Sequence, residues 1–179
     1  MPGMLPLRDM HLRHRALTEP VAGSHCEAAA VCLSRHHFPP TGFALEGDSV
    51  SRRVDVEWEV ADTRSRDAWD NKVDATEAGA CACVIAGVEL LHGLFAVRRA
   101  HTGTGADYYV GPAGSGVEDL EDCWRLEVSG VDAGDKKAVL RRVIQKAQQA
   151  REGDSDLPAF AGVIGFAAKL IVIERVSVT

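Results

Sequence analysis

Two short stretches carry residue types suited to chemistry. "HTGTGADYYVG", His101 to Gly111, sets two glycines and the lone aspartate Asp107 just after an apolar run. "LEVSG", some twenty residues on, offers Glu127 and Ser129. The first stretch allows three readings: a loop cradling phosphate, a surface turn, or a bend that presents Asp107 to a metal ion. Nucleotide cradling fails on context. A dinucleotide fingerprint runs G-x-G-x-x-G into a helix whose N-terminus faces the pyrophosphate, and a P-loop needs G-K-[ST] there. Gly103 and Gly105 lead instead into a strand pattern, with no lysine. His36-His37 beside Pro39-Pro40 resembles a metal clip only superficially, since adjacent histidines diverge and no second pair follows at zinc-like spacing. Cys81 and Cys83 point apart on a helical pattern, so the five cysteines read as free thiols of a reducing, cytoplasmic setting.

The elements that must position Asp107 and Glu127 emerge from hydrophobic period. Residues 1–20, with Pro2, Pro6 and scattered Arg and His, read as a mobile tail. "SHCEAAAVCLSRHH" predicts a helix with Ser24 as N-cap and Glu27 three residues on, stopped by Pro39 and Pro40. A hairpin follows with its turn at Gly47-Asp48, in which Val54, Val56, Trp58 and Val60 alternate against acids. From Arg66 to His92 a helical period places Val84, Val88 and Leu91 in the core, with Gly79 and Gly87 allowing close approach and Gly93 as a left-handed cap. Glu77 starts beside Cys81 and Val84 on this helix, so its carboxylate must find a partner or reach an edge.

Strands are predicted over Leu94 to His101, Ala106 to Val110 and Cys123 to Ser129, the last with Trp124, Leu126 and Val128 on one face and Arg125, Glu127 and Ser129 on the other. Tyr108 and Tyr109 face opposite ways, so at most one lines a cleft with Asp107. Asp132 to Arg151 reads as an amphipathic helix, its stripe Val139, Leu140, Val143, Ile144 and Ala147, with Lys136, Lys137, Arg141, Arg142 and Lys146 outside it. "AFAGVIGF" and "LIVIERVSV" are apolar enough for strands, although a helix is open for the second.

The order long helix, three strands, helix, strand resembles the αβββαβ core of the PD-(D/E)xK, or restriction-endonuclease-like, nuclease superfamily from Arg66 onward. That pattern places a glutamate on the first helix, an aspartate near a glycine bend on the second strand and (D/E)-x-K on the third. Here Glu77, Asp107 and Glu127 match, and Ser129 stands where the pattern has lysine. The resemblance implies Mg²⁺ held by Asp107 and Glu127 with the Val128 carbonyl, polarising a scissile phosphate and lowering the pKa of an attacking water. A serine hydroxyl brings no charge, so a lysine from the neighbouring helix, Lys136 or Lys137, would have to substitute. Arg98, Arg99 and His101, with Lys137 and Arg141 on the second helix, could track a phosphate backbone; a solvated helix face paired with local acids is the competing explanation.

Composition bounds these readings. The 179 residues, 46% hydrophobic and 26% charged, suit one globular domain, residues 21–179, divided into a helix and hairpin (21–62) and the core (63–179). A net charge of −6 opposes indiscriminate binding to nucleic acid or anionic membrane. No apolar run reaches the roughly 20 residues of a membrane span. The expectation is an α+β fold: a central mixed sheet flanked by helices, carrying a degenerate or weakly active nuclease-like site that acts in a nucleic-acid-handling assembly with a protein partner or a second copy. An active Mg²⁺-dependent nuclease and a protein-interaction subunit without nucleic-acid contact are the alternatives.

Overall fold

The computed structural model describes residues 1–177. The first part of the chain contributes β1 (Gly3–Met4), α1 (Met10–Arg13), α2 (Glu19–His36) and the hairpin β2 (Thr41–Gly47) and β3 (Val50–Val56). Then follow α3 (Thr63–Ala68), α4 (Lys72–His92), β4 (Phe95–Arg99), β5 (Tyr108–Gly111), β6 (Trp124–Val131), α5 (Lys136–Glu152), β7 (Ala159–Gly165) and β8 (Leu170–Val176). The strands make one eight-stranded mixed sheet in the order β1-β3-β2-β8-β7-β6-β5-β4, packed against the helices in an α+β fold.

The three strands predicted around Asp107 and Glu127 are neighbours: β4, β5 and β6 form an antiparallel meander. β6 and β7 run parallel, with Glu127 opposite Ala161, and α5 supplies the crossover that a parallel pair requires. β8 closes antiparallel on β7 and joins the N-terminal hairpin through a parallel pairing with β2. The second apolar run is therefore a strand; its last residue, Val178, lies outside the described residues.

Helix boundaries differ from expectation where caps decide them. The single helix expected over Arg66 to His92 is two, because Asp62 caps α3 through Ser65 N and Asn71 caps α4 through the amides of Val73 and Asp74. α4 ends at Gly93 in the left-handed conformation, φ 63°. It is buried all round from Gly79 to Val88, between the sheet and α2; a Cβ on Gly79 would sit 2.9 Å from the Ala29 backbone. Val84 and Val88 are fully enclosed, whereas Leu91 is only partly so. α2 begins at Glu19 rather than at Ser24, because Thr18 accepts from Val21 N and Pro20 sits in the first turn, where its missing N–H is harmless. In the hairpin, Val54 and Val56 are buried, but β3 stops there and Val60 is exposed.

Residues 1–20, expected as a mobile tail, pack into the fold. Leu5, Met10 and Leu17 are buried in the main core. His14, 0% exposed, accepts from Ala96 N at Nδ1 (3.0 Å), so its Nε2 carries the proton and donates to Glu89 Oε2 (2.8 Å). Arg13 Nε reaches the other Glu89 oxygen at 2.8 Å, and Ala16 N donates to Ala96 O. The segment thereby covers part of the outer edge of β4.

One further correction concerns α5, and it bears on the strand beneath it. Val139, Val143, Ala147 and Ala150 face the sheet, but Leu140 and Ile144 point outward, Ile144 at 68% exposure. The polar residues of β6 are not solvated: Arg125, Glu127 and Ser129 are buried under α5. β6 is a central strand with a helix on each face, so its alternation separates two packed surfaces rather than core from water.

Candidate functional site

β6 sets the frame. Arg125, Glu127 and Ser129 recur every two residues along the strand, about 6.6 Å, and residues four apart on a helix recur about every 6 Å. α5 matches that spacing in the opposite direction. Arg142 Nη1 donates to Ser129 Oγ (3.3 Å), Lys146 Nζ donates to Glu127 Oε1 (2.8 Å), and Arg125 Nη1 donates to the Ala150 carbonyl (2.7 Å). Lys146 also reaches Gln149 Oε1 at 2.9 Å.

Arg125 fixes the turn that carries Asp107. Fully enclosed, it also donates from Nη1 to Thr104 O (2.8 Å) and from Nε to Leu157 O (3.0 Å). Gly105 lets this turn lie against α5: its φ is 64°, and a Cβ there would stand 2.6 Å from Gln149 O. Just before β5, Asp107 is then held on three sides. Its N–H donates to Leu126 O (2.8 Å), its Oδ2 accepts from Val128 N (2.8 Å), and Arg99 Nη2 stands 3.7 Å from its Oδ1.

A cleft of about 550 Å³ opens beside Asp107. Arg142 and Lys146 of α5 form one wall, Glu77 and Cys81 of α4 another, and Val21 and His25 of α2 a third. A second depression of similar size lies across the Asp107–Arg99 pair and is lined by Glu127 and the Gly103–Asp107 turn. The three predicted carboxylates are thus adjacent but not in one pocket. Glu77 and Ser129 lie on one side, Glu127 on the other, and Asp107 lines both. Glu77 reaches an exposed edge, one of the two outcomes its position on α4 allowed.

The basic residues sort differently from expectation. Arg99 lines the cleft and covers the Tyr108 ring at 4.8 Å. Arg98 turns away toward His101 Nε2 (3.2 Å) and the Val117 carbonyl (3.5 Å). Lys137 and Arg141 are exposed on α5 and line neither depression. Lys136 pairs with Glu46 of β2 at 2.9 Å, so the helix cation beside Glu127 is Lys146, not Lys136 or Lys137. Lys146 and Arg142 entered the sequence reading only as part of the basic face of the helix, and His25 not at all. The signal for the first two is their spacing from one another, which parallels that of Ser129 and Glu127. His25, whose Nε2 lies 3.0 Å from Tyr108 Oη, belongs to a helix outside the α4–β7 run. Of the two tyrosines, Tyr108 lines the cleft and Tyr109 packs with Val97 and Cys123.

Burial dominates the titration of the site. It raises the Glu127 carboxyl above its ordinary value; the hydrogen bond from Lys146 pulls it back, and nearby Asp107 pushes it up further. Burial pushes the Tyr108 phenol up to about 12, and burial together with Arg99 lowers His25, which is uncharged at neutral pH. Among the described residues, no three His, Cys, Asp or Glu side chains gather closely enough to hold a metal ion. No helix among them is long and apolar enough to cross a membrane.

Comparison of the chain with family models, with curated proteins and with solved structures gives no match, which leaves the geometry of this cleft as the ground for a functional reading.

Proposed function

We propose that this chain is a nuclease-like domain of the PD-(D/E)xK type that binds nucleic-acid phosphate in the cleft between α4, α5 and the β5–β6 pair, and cleaves it weakly or not at all, within a nucleic-acid-handling assembly. The order α4, β4–β6, α5, β7 supports the αβββαβ reading, with Asp107 just before its second strand and Glu127 on its third. One observation carries the proposal: Lys146 stands 2.8 Å from Glu127 in the cleft that holds Ser129, so α5 supplies the positive charge that the strand lacks. Arg142 and Arg99 add two more cations around the same space.

Weak cleavage follows from how the carboxylates are engaged. Mg²⁺ needs oxygen ligands in near-octahedral array. Asp107 Oδ2 is taken by a backbone amide and Glu127 by Lys146, so the residues as arranged make no ready cage for the ion. The same cations are well placed for phosphate oxygens, which accept charge-assisted hydrogen bonds. A protein-interaction subunit is the second reading, favoured by exposed Leu140 and Ile144 on the outer face of α5.

Fluorescence anisotropy with labelled oligonucleotides at low salt tests the proposal. Arg142→Ala, an exposed substitution, should weaken binding by roughly ten- to a hundredfold, since a charged hydrogen bond contributes about 1.5–3 kcal/mol. Incubation with Mg²⁺ or Mn²⁺ should give little or no product. Absence of binding would favour the protein-interaction reading, and rapid metal-dependent cleavage that Asp107→Ala abolishes would make the domain an active nuclease.

A further inference from the structure

We infer that the cleft takes a single unpaired strand of nucleic acid and not a duplex; this rests on the phosphate-binding reading above. The αβββαβ run supplies only part of the cleft. Its remaining wall comes from the N-terminal segment, through Ala16 ahead of α2 and Val21 and His25 on it. That segment is fixed in place by the buried His14 and its bonds to Glu89 and Ala96, so the wall is a built part of the fold. With α5 opposite, the cleft is bounded on both sides and holds about 550 Å³, the scale of a small-molecule site and on the order of one or two nucleotides.

Charge placement points the same way. The cations Arg99, Arg142 and Lys146 lie within the cleft, beside the anions Glu77 and Asp107. Arg98, Lys137 and Arg141, which would extend a basic track outward, do not line it. A duplex presents a phosphate about every 1.7 Å of its axis and is held by many cations along its length. This surface offers a few cations at one point on a chain of net charge −6. A single strand needs less: one or two phosphates at Arg142 and Lys146, and an apolar contact for the splayed sugar or base. Val21, 38% exposed at the lip beside His25, offers that contact.

The test measures anisotropy of a labelled twelve-nucleotide single strand, as DNA and as RNA, and of the matching DNA duplex, across a NaCl series. At least one single strand should bind about tenfold or more tighter than the duplex. Its log K against log[salt] should slope at about −1.4, from roughly −0.7 for each of two phosphate contacts. Val21→Asp, an exposed change that sets a negative charge at the lip, should weaken single-strand binding without shifting the melting temperature. A duplex that binds as tightly as the single strands, or a slope steeper than about −5, overturns the inference. If that duplex binding is sensitive to Arg142→Ala, the phosphate-binding reading stands and only the strand preference falls. If nothing binds, both fall.

Discussion

On the α4 side of β6, Leu126 and Val128 join Ala80, Val84 and Val88 in one apolar cluster, and Gly130 lets the strand come close to Thr76 and Ala80. On the α5 side, Arg125, Glu127 and Ser129 are almost equally enclosed, yet each is bonded to the helix above it. The first face is held by removal of apolar surface from water, which is non-directional and tolerates sliding. The second is held by pairs that add little net stability and cost a good deal when one partner is lost. What the α5 face gains is register: only one rotation and one height of the helix satisfy all three polar groups together.

Three substitutions probe this contrast, from the largest expected effect down. Val84→Asp puts an unpaired carboxylate into the apolar face, at a fully enclosed position. The cost is several kcal/mol against a typical total of about 5–15, so the domain should unfold. Circular dichroism and a thermal melt check it, and a soluble, cooperatively melting variant would show that this face accepts charge. Arg125→Met on the polar face strips donors from the carbonyls of Thr104, Ala150 and Leu157. It should cost roughly 3 kcal/mol or more by urea denaturation. A loss under about 1 kcal/mol would mean that the turn before Asp107 holds itself.

Lys146→Met should have the smallest effect and a pH signature. Glu127 has a carboxyl pKa raised above 4.5 in the fold, and loss of Lys146 raises it further because the bond from Lys146 lowers it. A raised carboxyl stabilises the fold below its unfolded pKa and loses that contribution as pH rises through the folded value. The variant should therefore be less stable than the parent by about 1–3 kcal/mol above the folded pKa, with the gap closing as pH falls toward 4.5. Melting temperatures across that range measure the gap, and a gap that widens on acidification would mean that the ion pair is not what holds Glu127.

Much of this was legible from the sequence. The meander, α4 and its Gly93 cap follow from strict periods and one glycine, and Asp107 and Glu127 stand out by type and spacing. The orientation of α5 was not legible. Leu140 and Ile144 are as apolar as Val139 and Val143, and which set turns inward is decided by the sheet beneath: Val163, Leu170 and Val172 receive Val139 and Val143, while the polar row on β6 pairs with the flank beside them. Lys146 and Arg142 were hidden for that reason, since they share a helix surface with Lys137 and Arg141 until a partner strand distinguishes them. The packing of residues 1–20 was illegible because Leu5, Met10 and Leu17 share no helical or strand period, and the segment is docked by groups such as Ala96 far along the chain. His25 enters the cleft through the same long-range docking.

The matched rows on β6 and α5 also turn the short connection between them, Val131 to Lys136, into a spacer measured in helical turns. One residue added there would rotate α5 by about 100° and advance it by about 1.5 Å, carrying Lys146 away from Glu127 while leaving every amino acid of both elements unchanged. Insertions that nearly complete a turn would restore the angle but shift the helix by a whole repeat along the strand, setting each polar group opposite its neighbour's partner. Loop length, ordinarily the most permissive property of a chain, is here a constraint on the same footing as the identity of a buried side chain.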